Sequence, residues 1–382
     1  MTEGAAVLGR YAGTGPVESN VLALLHDCAG GEFEASIAPR SPLGPRAVRV
    51  HLRQAPAAPS PEAWKALAAV LKDQWWVDAV APRKQQVYLR VTTGALRTWV
   101  TAGTGPVAGD EGRGRSVRVW LRERDPGSLG GSRQAAVGRS VAALLASRGF
   151  ETSVVTGTPT APNGGQLVPV DLGEVDVRHG PLRARHGGSV NADDVLEEVR
   201  GRLASAPGVA GSEDLHAEAL LAFVLLRTQR TRRVQLADET LEREASAFAS
   251  LLEARAIAHT RAAEPEETGL GPVAGDGSEP AVRELATELD LLPGVAARAA
   301  ETLEPALLIR FIRSVADRVQ TAKTYLPATD ALWPAAGETI DVAMSLAGMD
   351  VPRGTGLATS PAGVEPEVPR PWAGRPRPRA AA

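Results

Sequence analysis

The sequence predicts a mixed α/β chain that hands over to an all-helical end. Three observations carry that reading. Runs such as 47–52 and 117–121 alternate apolar and polar residues, the period of a half-buried strand. From residue 216 the spacing becomes helical, and Leu308, Phe311, Ile312, Val315 and Val319 stand at i, i+3, i+4, i+7 and i+11. Gly- and Pro-rich breaks at 103–110 and 270–277, both containing GPVAGD, do not hold regular structure. The breaks set five parts. These are a small α+β domain over 1–105, a reduced α/β core over 114–205, connecting helices over 212–264, a helical bundle over 280–354 and a Pro/Arg-rich tail over 355–382.

In the first part, 17–25 reads as a short helix and 47–52 as a strand. A helix follows over 61–72, with Pro61 in its first turn. Residues 87–91 read as a strand and 96–100 as a helix. The core opens on a strand at 117–121. A loop is expected over 125–133. After it comes a helix over 134–148 with Val137, Val141, Leu144 and Leu145 on one face and Gly149 at its end. A strand at 151–155 completes a βαβ-type unit. Strands at 167–172 and 174–177 and a helix at 192–203 follow. The remainder reads as helices over 216–227, 238–261, 282–289, 305–324 and 335–347. Leu241, Phe248, Leu251 and Leu252 make the core face of the second of these. Ile340, Ala343, Met344 and Ala347 make that of the last, which Gly348 ends. The tail, with its Arg375-Pro376-Arg377-Pro378-Arg379, has the composition of a disordered segment.

The chain has 382 residues and is 43% hydrophobic, enough for two or three domains with real cores. Its net charge of −3 lacks the broad basic field of most nucleic-acid binders, so any RNA contact must rest on local positive charge. A single cysteine, Cys28, rules out a disulfide framework and points to a reducing compartment. No stretch reaches the roughly 18 apolar residues of a membrane span, and the N-terminus lacks the pattern of a secretory signal. The expected location is cytoplasmic.

The helical end carries a resemblance. Val295-Ala296-Ala297-Arg298-Ala299-Ala300-Glu301-Thr302-Leu303-Glu304-Pro305, then Leu308-Ile309-Arg310-Phe311, and finally Leu346-Ala347-Gly348-Met349 resemble the DALR-type anticodon-binding domain of arginyl-tRNA synthetases over 285–354. Upstream, Ala219-Leu220-Leu221-Ala222-Phe223-Val224-Leu225-Leu226-Arg227 and Phe248-Ala249-Ser250-Leu251-Leu252-Glu253-Ala254-Arg255-Ala256 are similar to the family's connecting helices. The first domain resembles the family's tRNA-elbow domain, with Val87-Tyr88-Leu89-Arg90-Val91 as its closing strand, and the α/β core resembles a reduced Rossmann-like core.

Such a synthetase activates its amino acid with ATP. It does so through a His-bearing signature after the first Rossmann strand and a Lys-bearing loop that clamps pyrophosphate. The flanks Asp125-Pro126 and Arg133-Gln134-Ala135-Ala136-Val137-Gly138 match the family, but the signature between them reads Ser128-Leu129-Gly130-Gly131, with no histidine. The second signature, before Gly187-Gly188-Ser189-Val190-Asn191-Ala192-Asp193-Asp194, reads Pro181-Leu182-Arg183-Ala184-Arg185. Arg183 and Arg185 keep positive charge, but not the reach of lysine. The long segment that walls the family's substrate pockets is replaced by the eleven residues 156–166. The resemblance therefore implies a pseudoenzyme. It has no catalytic residue, no ATP or other cofactor, no metal and no membrane partner, and it binds tRNA (arginine tRNA, following the family) to regulate charging or translation. Two alternatives stay open. One is a protein-interaction paralogue that docks on a true aminoacyl-tRNA synthetase. The other is residual arginine–tRNA ligase or aminoacyl-tRNA-dependent transferase activity.

Candidate RNA contacts are basic. Arg227, Arg230, Arg232 and Arg233 form the densest internal cluster, placed to meet a tRNA backbone or to serve as a charged interhelical loop. Arg310, Arg313, Arg318 and Lys323 lie off the apolar face of their helix, open to phosphates or to plain solvation. Phe311 lies on that face, which favours core packing over base stacking. His26-Asp27-Cys28 are sequence neighbours, which rarely form a nucleophilic site. His179 and His186 lack the cysteine or carboxylate company of a metal site.

Overall fold

The computed structural model describes residues 15–29, 33–38, 41–43, 47–52, 60–83, 86–103, 109–121, 127–157, 166–170, 172, 174–177, 191–204, 213–263 and 278–349. The tail and the break at 270–277 lie outside them. All described residues belong to one compact unit, Met1–Pro352.

The first part runs α1 (Pro16–Ala29), β1 (Phe33–Ala38), β2 (Ala47–Leu52), α2 (Pro61–Lys72), β3 (Val77–Arg83), β4 (Gln86–Val91) and α3 (Thr93–Gly103). Its strands form an antiparallel sheet in the order β1-β2-β4-β3. Two of these strands do not show in the sequence pattern. β1 buries only its two ends, so it has no clean alternation, yet it pairs along its whole length with β2. β3 contains Pro82 and a register shift between Val77 and Ala79. An edge strand tolerates both, because its outer N–H groups need no partner. Ser60 caps α2, its side chain accepting the Ala63 N–H, and Trp64, Ala68 and Leu71 face inward. Trp76 and Trp99 meet beneath, with ring centroids 5.9 Å apart.

The second part is a three-stranded parallel sheet in the order β6-β5-β7, made by β5 (Ser116–Leu121), β6 (Glu151–Thr156) and β7 (Gln166–Pro169). The crossover helix α4 (Leu129–Ser147) packs on it with Val137, Val141 and Leu144 buried. Gly149 ends α4 at φ 87°, a left-handed conformation that only glycine adopts without cost. Residues 129–133, expected as loop, are helix. The glycines at 130 and 131 weaken helix propensity, and the Ser128 cap together with the burial of Leu129, Gly131 and Arg133 offsets them. A separate parallel pair joins β8 (Val175–Val177) to β9 (Val234–Leu236).

The helical region comprises α5 (Ala192–Ala204), α6 (Glu213–Leu226), α7 (Asp238–Ala263), α8 (Ser278–Leu289), α9 (Leu292–Thr302), α10 (Ala306–Ala322) and α11 (Leu332–Leu346). Here α9 is the helix the sequence hides. Its opening is Leu292-Pro293-Gly294, and proline sits well in a helix's first turn, where no N–H is needed. It ends at Leu303 with φ 53°, a left-handed residue without glycine's freedom. Gly348, at φ 70°, closes α11 as expected. In α10 the residues Leu308, Phe311, Ile312, Val315 and Val319 are all buried, so Phe311 is a core residue. One continuous apolar core runs from Val17 to Met349 and joins all three parts. α3 packs on α8 and α11, where Arg97 donates to Asp330 at 2.7 Å and Arg283 donates to the Val91 carbonyl.

α7 and α11 are joined by charge as well as packing. Arg255 Nε lies 2.6 Å from Asp341 Oδ1, and His259 Nε2 lies 3.3 Å from Oδ2. Burial alone would raise the Asp341 pKa. Hydrogen bonds from His259 and Arg255, with their charges, outweigh burial and hold the carboxyl below its ordinary value. A carboxyl lowered in the folded state adds stability above its unfolded pKa and loses it as pH falls through the folded value. Urea midpoints taken from neutral pH into acid should therefore fall more steeply for the wild-type chain than for Asp341→Asn. In the packed centre, Phe223 and Phe248 rings meet at 5.5 Å, and Phe248→Ala should cost about 3–5 kcal/mol in the same assay.

Candidate nucleic-acid interface

The turn into α4 holds Ser128-Leu129-Gly130-Gly131, where the sequence resemblance places the first signature. Ser128 stands outside the helix in extended conformation, and its side-chain oxygen accepts the Gly131 N–H at 3.0 Å. Leu129 and Gly131 are buried, while Gly130 is half-buried. The Gly127 carbonyl accepts the Ala192 N–H at 3.0 Å, which fixes the start of α5 beside the start of α4. At α5, Asn191 and Asp194 cap one another, with each backbone N–H bonded to the other's side chain at 2.9 Å. The second signature, Pro181, Leu182, Arg183, Ala184 and Arg185, lies outside the described residues, as do His179 and His186. So do the side chains of Asp27 and Cys28, while His26 is exposed. Among the described residues no group of three His, Cys, Asp or Glu is placed to hold a metal ion.

One turn into α4, Arg133 is only 1% exposed. Its guanidinium donates to the carbonyls of Arg232 at 2.8 Å and Gln229 at 3.0 Å. The basic loop 227–233 is thus held by its backbone against the sheet's helix. Its arginines are held as well. Arg227 Nη1 lies 3.1 Å from Glu244 Oε1, and its Nη2 donates to the Gln235 carbonyl. The Arg230 N–H donates to Glu304 at 3.1 Å, and its guanidinium lies 3.7 Å from the same carboxylate. Arg233 faces Glu174 at 3.6 Å across an open surface. Arg232 is exposed.

The cations of α10 divide in the same way. Arg313 reaches Glu244 Oε2 at 2.9 Å and lies over the Phe223 ring. Arg318 pairs with Glu284, and Lys323 pairs with Glu253 at 3.1 Å. Arg310 is exposed and donates to the Ala306 carbonyl of its own helix. The structure therefore brings Arg227 and Arg313 together on one carboxylate, and it does not bring the eight candidate cations to one face. Exposed pairs such as Lys323–Glu253 are worth at most about 1 kcal/mol, so a phosphate can displace the carboxylate. Glu244 differs. It is 2% exposed and serves Arg227, Arg313 and Arg243 at once.

Neither Glu244 nor Arg133 stands among the candidate site residues of the sequence, yet both leave a signal there. Glu244 falls three residues after Leu241 and four before Phe248, on the core face of α7. Arg133 falls four before Val137 on the core stripe of α4. A charge on an apolar stripe announces a buried partner.

No family model and no curated protein matches this sequence. The fold does match solved structures. The arginyl-tRNA synthetase of Thermus thermophilus superposes with a TM-score of 0.59 at 13% identity, covering 88% of this chain and 99% of that one. The arginyl-tRNA synthetase of Plasmodium falciparum superposes with a TM-score of 0.54 at 7% identity, covering 88% and 98%. At these identities the likeness is one of fold.

Removing the shared carboxylate tests the hub. Glu244→Ala takes the shared carboxylate from Arg227, the most enclosed of its three partners, and should cost about 1–3 kcal/mol in urea unfolding. A change within experimental error would show that the arginines find water or other partners instead.

Proposed function

We propose that this chain, which has an arginyl-tRNA synthetase-like fold, binds tRNA without activating an amino acid. The observation that carries the reading is the turn between β5 and α4. Where a His-bearing signature would stabilise a transferring phosphate, Ser128 is occupied as a helix cap, Leu129 is buried in the core and no imidazole is present from 122 to 134. No imidazole is available there for the charge stabilisation that activation needs, so neither ATP nor another cofactor is part of the proposal.

The tRNA half of the reading is supported by the fold likeness along most of the chain and by Arg232 and Arg310, which stand exposed. Arg318, Lys323 and Arg233 join them by exchanging a surface carboxylate for a phosphate. Regulation of tRNA charging or of translation is the role such binding serves.

A second reading has its own observation. Carboxylates already meet most of the candidate cations, which suits a surface that docks on a protein such as a true aminoacyl-tRNA synthetase better than one that docks on RNA.

The test is retention of total tRNA by purified full-length protein at two salt concentrations, with sequencing of what is held. Expected is enrichment of arginine tRNAs and affinity that falls with salt. Arg232→Glu with Arg310→Glu should reduce the salt slope by about one for each phosphate that is no longer neutralised. No retention at low salt overturns tRNA binding and leaves the protein-docking reading. Exchange of pyrophosphate into ATP above background would overturn the loss of activation.

A further inference from the structure

The N-terminus of α1 is capped by a residue 273 positions away. Asp290, at the junction of α8 and α9, accepts the Val17 N–H on Oδ1 at 2.6 Å. Asp290 is 1% exposed, and its second oxygen has no hydrogen-bond partner among the described residues. The fit is tight. A Cβ on Gly15 would overlap the Asp290 carbonyl and carboxyl, and a Cβ on Gly103 at the end of α3 would overlap the Pro16 ring. Glu18, in the first turn of α1, adds a second carboxyl there, bonded to the Ile37 N–H at 2.7 Å.

We infer that Asp290 is a proton-operated latch that closes α1 onto the α8–α9 junction as the neutral acid and loosens that junction on ionisation. Oδ1 can accept the Val17 N–H in either state. The difference lies in Oδ2, which as a bare anionic oxygen would be buried with no donor. Burial is the chief force raising the Asp290 pKa well above its ordinary value. The Val17 N–H pulls the other way and is outweighed, while the Glu18 charge adds to the rise. Glu18 is itself pushed up by burial, against the backbone bonds from Ile37 and Gly15.

Three positive groups on the packed elements are engaged elsewhere, while His26 of α1 and Arg298 of α9 are exposed. Arg97 of α3 is on Asp330, Arg283 of α8 is on Glu279, Asp78 and the Val91 carbonyl, and Arg318 of α10 is on Glu284. Glu288, two residues before Asp290, is buried and also partnered. The sign follows from the raised pKa. The latch is fully closed below the open-state pKa, near 3.9 for an ordinary aspartate. It weakens as pH rises through the higher closed-state value.

Hydrogen exchange of the α1 amides in the full-length chain, corrected for intrinsic exchange, reads the latch across mildly acidic to mildly basic pH. In the wild type the opening constant should rise with pH, by up to about tenfold per unit inside the window. Asp290→Asn keeps an acceptor for Val17 and cannot ionise, so its profile should be flat. Glu18→Gln lowers the closed-state pKa, so its rise should be smaller and level off at lower pH. A wild-type profile parallel to that of Asp290→Asn, or α1 better protected at high pH, overturns the inference. Should Asp290→Asn not fold, a wild-type opening constant independent of pH is enough to overturn it.

Discussion

The loop at 227–233 is the joint on which the architecture depends, because the polar groups it turns toward its neighbours must find partners away from water. Arg133 of α4 takes the carbonyls at 229 and 232, Glu244 of α7 takes Arg227, and Glu304 takes the Arg230 N–H. β9 leaves the loop directly into a parallel pairing with β8. Sheet helix, long connecting helix and helical end thus meet at one short segment. Arg227 and Arg230 are structural before they are available to a ligand.

That arrangement explains how a chain of net charge −3 carries a visible run of arginines. Most of the candidate cations are met by carboxylates of the chain itself, and the cost of releasing them differs from site to site. Arg227 shares Glu244, which is buried, so withdrawing it would leave Arg313 and Arg243 as the partners of a carboxylate held away from water. Lys323 and Arg318 meet their carboxylates in solvent, where water replaces either partner cheaply.

The N-terminal domain is joined by a different kind of contact. Arg97, Arg283 and Asp290 each cross between it and the helical end, and each is a polar group meeting a specific partner at the edge of an apolar interface. Apolar packing between α3, α8 and α11 supplies attraction without direction. The three polar contacts select the register.

The sequence by itself determined the periodic elements. Residues 47–52 and 61–72 are found at the limits their patterns predict, and the face of α10 is buried where its spacing places it. Hydrophobic periodicity is a local property, so it can be read locally. The absence of histidine at 128–131 is equally plain in the letters. Tertiary structure decided the rest. Phe33–Ala38 is a strand because β2 lies alongside it, and Leu292–Thr302 is a helix because Leu292, Ala296, Ala299 and Ala300 find a core to enter. The eight basic candidates looked alike in the sequence. The carboxylates that distinguish Arg227 from Arg310 lie on other elements, and the energy of a charge is set by the partner and solvent around it, which only the folded chain brings together.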